Sequence, residues 1–146
     1  METQTTQPVA TPETKEKKAP TFNKDELLAI FDRITFEGEY SEQVKLKGKL
    51  TVTFKTRSAG DTLEISKTVD AIQANLVITV SEQRAILNLA YSMIEYSGKD
   101  LSKASIDDRL TFVKKLPVPI IAALSDALAT FDLKIDAACK EGDENF

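Results

Sequence analysis

The hydrophobic period of this chain switches from 3.6 to 2 and back again, and that switch limits the fold more than any other feature. In the segment EQVKLKGKLTVTFKTR (42–57), Val44, Leu46, Leu50, Val52 and Phe54 share one parity, while Lys45, Lys47, Lys49, Thr51, Thr53 and Lys55 hold the other. This is the pattern of a two-stranded ribbon with one buried face. Centring the turn on Lys47, Gly48 and Lys49 pairs Leu46 with Leu50 and Val44 with Val52, which keeps the apolar face in register; Gly48 supplies the backbone freedom. An isolated ribbon is marginal in water, so its apolar face must be covered by helices.

The flanking sequence supplies those helices. Asn23 can cap a helix, with Glu26 three residues on and Leu27, Ile30, Phe31 and Ile34 at helical spacing, which predicts a helix over Lys24–Ile34 with Phe22 and Leu27 as a hydrophobic staple. After the turn at Ser58, Ala59 and Gly60, the pair Asp61 and Glu64 precedes Leu63, Val69, Ile72 and Leu76, predicting a helix over 61–75. The run LVITV (76–80) reads as either strand or helix. Ser81 then opens a stretch predicted helical over 81–97, with Ile86, Leu89, Ala90, Met93 and Ile94 as its stripe and Leu87 and Tyr91 widening it. A helix apolar on so broad a face is expected at the centre of the core. Gly98 reads as its stop, and Ser105 with Asp108 caps a short helix carrying Ile106, Leu110, Val113 and Leu116, which Pro117 ends. Pro119 fits the first turn of a last helix, striped by Ile120, Leu124, Ala127, Phe131, Ile135 and Ala138 and expected to reach about Lys140 before Gly142 releases the tail.

The expected class is therefore α+β, mostly helical: a two-stranded antiparallel ribbon packed on a bundle of about four to five helices. Residues 1–20 contain Val9 as the one large aliphatic after Met1, so they are expected to form a disordered arm, with 21–146 as a single α+β domain. Neither a membrane-spanning run nor the hydrophobic segment of a secretion signal is visible, and a lone cysteine makes no internal disulfide, so a cytoplasmic setting is expected.

Composition narrows the chemistry. The 146 residues include no histidine and one cysteine, Cys139, which removes the commonest general base and the commonest transition-metal ligand. The five glycines are scattered and build no phosphate loop. Cys139 has no histidine partner and reads as a buried structural thiol. Asp107 and Asp108 open a helix and complement its dipole rather than form an acid-base pair. No catalytic, cofactor-binding or metal-ligating residue is assigned, and a non-enzymatic role is expected. A formal charge of −4 argues against general nucleic-acid binding, so any basic contact surface must be local. The odd-parity residues of the ribbon offer one: Lys45, Lys47, Lys49 and Lys55 with Arg57 form a candidate strip for an acidic partner, to which the terminal Phe146 is added as a second candidate contact. The same lysines would also serve as solvated gatekeepers against edge pairing.

Two regions carry a resemblance. Phe31-Asp32-Arg33-Ile34, Glu37-Gly38-Glu39-Tyr40 and the ribbon end Val-Thr-Phe-Lys-Thr-Arg-Ser-Ala-Gly-Asp (52–61), followed later by Asp108-Arg109-Leu110, Phe112, Leu116-Pro117, Phe131-Asp132 and Glu144-Asn145-Phe146, resemble small accessory proteins of long-tailed bacteriophages involved in tail or baseplate assembly, of the tail assembly chaperone kind. The resemblance implies a protein that assists assembly of, or is built into, the tail or baseplate by binding other phage structural proteins. It further implies residence in the host cytoplasm or the virion, no cofactor, and no nucleic-acid or membrane partner, with self-association left open. A host-directed regulatory binder or a capsid-associated accessory protein would use the same arm and lysines, and is the alternative.

Overall fold

The computed structural model describes residues 21–73 and 80–144. The expected N-terminal arm, the run 76–79 and Phe146 lie outside the described residues. The elements run α1 (Lys24–Glu37), β1 (Ser41–Leu46), β2 (Leu50–Lys55), α2 (Ala59–Gln73), α3 (Val80–Ser92), β3 (Met93–Tyr96), β4 (Lys99–Asp100), α4 (Ile106–Lys114) and α5 (Val118–Glu144). The class is α+β and mainly helical.

The ribbon forms in the expected register, with Val44 opposite Val52 and Leu46 opposite Leu50. It is not two-stranded, however. The sheet has four antiparallel strands in the order β1-β2-β3-β4, and the added pair comes from a segment expected to be helical. Helix α3 stops at Ser92, and Met93 and Tyr96 lie opposite Phe54 and Val52, extending the apolar face of the ribbon by one strand. Met93 and Ile94 suit a helical stripe equally well, so periodicity could not separate the two states. The turn decides it. Tyr96 pairs with Lys99 across Ser97 (φ 48°) and Gly98 (φ 86°), the two positive φ values of a type I′ hairpin, so Gly98 reverses a strand rather than ending a helix.

One face of this sheet carries the main core. Val52, Phe54 and Met93 pack on Leu89 and Ala90 of α3, Val113 of α4, and Leu124, Leu128 and Phe131 of α5. Phe131 lies between two rings, stacked on Tyr40 at a centroid distance of 6.2 Å and tilted against Phe54 at 6.0 Å. The opposite side of α3 presents Leu87 to Ile65 and Val69 of α2, so α3 is covered on two sides, as its broad stripe implied. Helix α2 begins two residues earlier than expected because Ser58, not Asp61, caps it. Ser58 Oγ accepts from the Asp61 amide while Asp61 Oδ2 accepts from the Ser58 amide. Leu63 is 65% exposed, and Ile65 and Val69 are the buried residues among those described; Ile72 and Leu76 of the expected stripe lie outside the described side chains.

Helix α1 is capped by Asn23, whose side chain accepts from the Glu26 amide, and continues three residues beyond Ile34, to Glu37, where the Gly38 amide bonds back to the Ile34 carbonyl. Phe22, Leu27, Ile30 and Ala138 form a second cluster. Glu26 meets Lys134 and Phe31 meets Gly142, so α1 and α5 run side by side in the same direction. Gly142 therefore does not release the chain: α5 passes through it, and the residue is buried where Phe31 leaves no room for a β-carbon. Ser105 caps α4 as expected, accepting from the Asp108 amide.

Candidate functional site

The β1–β2 hairpin presents two different surfaces. Its even residues face the helices; its odd residues, Ser41, Gln43, Lys45, Thr51, Thr53 and Lys55, form the outer face of the sheet. The expected lysine strip is not continuous there. Lys45 lies near the hairpin tip opposite Thr51, whereas Lys55 lies at the far end opposite Ser41, and between them Glu95 of β3 accepts hydrogen bonds from Thr53 (2.7 Å) and Gln43 (3.3 Å). A carboxylate thus interrupts the row, which a reading of one hairpin alone could not foresee.

The basic charge concentrates instead at the tip. Lys45, Lys47 and Lys49 are exposed within five consecutive positions, and the turn is tight: Lys47 (φ 51°) and Gly48 (φ 72°) both have positive φ, and the Lys49 amide donates to the Leu46 carbonyl at 3.0 Å. Lys47 and Lys49 flank an apolar groove of about 230 Å³, floored by Leu46 and Leu50 from the hairpin and by Pro119, Ile120 and Ala123 from the first turns of α5. Leu46 also belongs to a second groove of about 290 Å³ between β1 and α5, where Phe22, Val44, Ala127 and Phe131 supply the apolar wall. The two grooves follow β1 on its helical side from the hairpin tip to the start of α1.

Strand β1 is also the edge of the sheet. The Thr56 amide donates to the Tyr40 carbonyl, which makes Tyr40 and Thr56 a hydrogen-bonded pair; alternation then directs the main-chain groups of Glu42, Val44 and Leu46 toward β2 and those of Ser41, Gln43 and Lys45 outward. Among the described residues nothing bonds to that outward row.

At the α1 end of the larger groove stands Lys134, whose ammonium reaches Glu42 at 2.9 Å and Glu26 at 3.1 Å. Burial by itself would lower the Lys134 pKa, but the hydrogen bonds to Glu42 and Glu26 outweigh it and raise the value. The Tyr40 hydroxyl donates to the same Glu42, and burial followed by that bond pushes the phenol well above its ordinary value. This cluster ties α1, β1 and α5 together; sequence reading missed it because Glu26, Glu42 and Lys134 lie 16 to 108 positions apart.

Arg57 does not join the lysines. Its guanidinium turns inward, donating to the fully buried Ser92 hydroxyl and, at 2.7 Å, to Asp132 of α5. It seals the end of α3 against α5, so of the expected basic strip only Lys45, Lys47 and Lys49 cluster, with Lys55 apart from them. Cys139 is half-buried, and its thiol pKa is raised first by burial and then by Asp136 and Asp143, which disfavours the thiolate. Among the described residues no group of three or more His, Cys, Asp or Glu side chains could hold a metal ion, and no helix is long and apolar enough to cross a membrane.

Comparisons with protein-family models, curated proteins and solved structures return no match for this chain.

Proposed function

We propose that this protein is a non-enzymatic binding protein that assists assembly of, or is built into, the tail or baseplate of a long-tailed bacteriophage, through contacts with other phage structural proteins. One observation supports a binding role above all: a strand edge that no described residue pairs with, three clustered lysines and an apolar groove lie together at the β1–β2 hairpin. An edge offers main-chain hydrogen bonds, a groove offers apolar area, and lysines steer an acidic partner over a distance set by ionic strength. The assignment to tail assembly rests on the short motifs spread over 24–146.

The test is capture from phage-infected cells with the full chain as bait, followed by identification of the bound proteins. A tail tube, tape-measure or baseplate component is the expected catch. Its yield should fall with added salt and on replacing Lys45, Lys47 and Lys49 together by Glu, while the circular dichroism stays unchanged. Recovery of host regulators or capsid proteins in place of tail components would refute the assignment.

A further inference from the structure

On the binding reading above, we propose that β1 is a docking edge for an extended segment of a partner in which acidic residues alternate with aliphatic ones, added to the sheet as a further strand. The outward amides and carbonyls of Ser41, Gln43 and Lys45 provide the ladder. Strand geometry then sorts the side chains of the incoming segment. Those on the parity of Val44 and Leu46 enter the groove against α5, where Val44, Leu46, Ala127 and Phe131 are apolar. Those on the other parity lie on the outer face beside Lys45, and the end of the segment at the hairpin tip meets Lys47 and Lys49, which flank the tip groove. A groove of about 290 Å³ is at the small end for a cofactor pocket, commonly roughly 300 Å³ or more, and suits a few aliphatic side chains.

Charge selects the occupant. A second copy of β1 would bring Ser41, Gln43 and Lys45 to the outer face, with no carboxylate among them, and its Glu42 is already bound to Lys134 and Tyr40. A basic or neutral segment would leave three lysines without partners. An acidic one satisfies them, and the lysines that discourage indiscriminate edge pairing become the means of choosing a partner.

The proposal is tested by titrating the full chain with a short peptide of alternating Glu and Val and following amide exchange by NMR. The amides of Ser41, Gln43 and Lys45 should gain protection, while those of Glu42, Val44 and Leu46, already bonded to β2, should change little. Gln43→Pro is the decisive variant. Its amide points away from β2, so proline removes no existing ladder bond and is tolerated on an edge, yet it blocks strand addition; binding should weaken about tenfold or more. Gln43→Ala, which loses only the side-chain bond to Glu95, should bind like the parent chain. A peptide with Lys in place of Glu should not bind. The proposal is overturned if Gln43→Pro binds the Glu-Val peptide unimpaired, if the parent chain fails to bind it, or if the outward amides are already protected in the free chain, as they would be with the chain's own arm in place. Tail-protein capture surviving Gln43→Pro would overturn the edge mode alone, whereas a normal peptide response without such capture would overturn the assembly function alone.

Discussion

Replacing Gly142 by Ala tests whether a single missing β-carbon sets the distance between α1 and α5. A β-carbon there would lie 2.3 Å from Phe31 Cγ and 2.4 and 2.5 Å from the two Cδ atoms. Carbon atoms attract best at about 3.5–4.0 Å, so the ring must retreat by more than about 1 Å. Because the nearest atom is the root of the ring, rotating the ring about its own axis gives no relief; Phe31 must change its first side-chain torsion or α1 must move off α5, disturbing Leu27, Ile30 and Ala138. Overpacking of this kind costs about 1–3 kcal/mol, whereas Ala in place of Gly inside a helix gains about 1 kcal/mol, so the net effect is a loss of roughly 0–2 kcal/mol. The sign should reverse once the ring is gone. In a Phe31→Ala background the collision disappears, and Gly142→Ala should stabilise by about 1 kcal/mol, giving a coupling of about 1–3 kcal/mol in the double-mutant cycle. Urea unfolding of the four chains measures this directly, since a slope of about 1–3 kcal/mol/M turns such a coupling into a clear difference in midpoints. Equal stabilisation by Gly142→Ala in both backgrounds would refute the close-approach argument and leave Gly142 as an ordinary helical glycine.

Two further predictions concern the core and the Lys134 cluster. Leu89→Ala, at a fully buried site of α3, should cost about 2–5 kcal/mol, whereas Lys47→Ala at the exposed tip should stay within about 0.5 kcal/mol; coincident denaturation midpoints would contradict the placement of the core. Lys134→Met should destabilise by about 1–2 kcal/mol, because it strips Glu42 and Glu26 of their shared cation. The folded-state pKa of Lys134 is raised above 10.5, so its contribution is complete below that value and is lost as pH rises through the folded pKa. The stability gap between parent and variant should consequently persist at neutral pH and close as the pH rises into strong alkali; a gap absent at neutral pH would count against the hydrogen-bonded cluster.

Local signals in the sequence determined the hairpin and most helix starts, because each is written in adjacent residues: parity and a central glycine for β1–β2, and Asn23 and Ser105 for the caps of α1 and α4. Parity also named the lysines at the tip. Tertiary structure decided what a local signal leaves degenerate. Met93–Tyr96 suits either period, and it becomes a strand because β2 has an unpaired edge to satisfy and Ser97-Gly98 can reverse the chain in two residues. Gly142 is consistent with a helix stop or a close approach, and Phe31, more than a hundred positions away, selects the second. Arg57 reads as one more base of the ribbon until Ser92 and Asp132 draw it inward. The groove beside β1 needed both a hairpin and the first turns of α5, elements some seventy positions apart, so its apolar floor had no local trace: burial and charge pairing depend on neighbours in space, and only the folded chain brings them together.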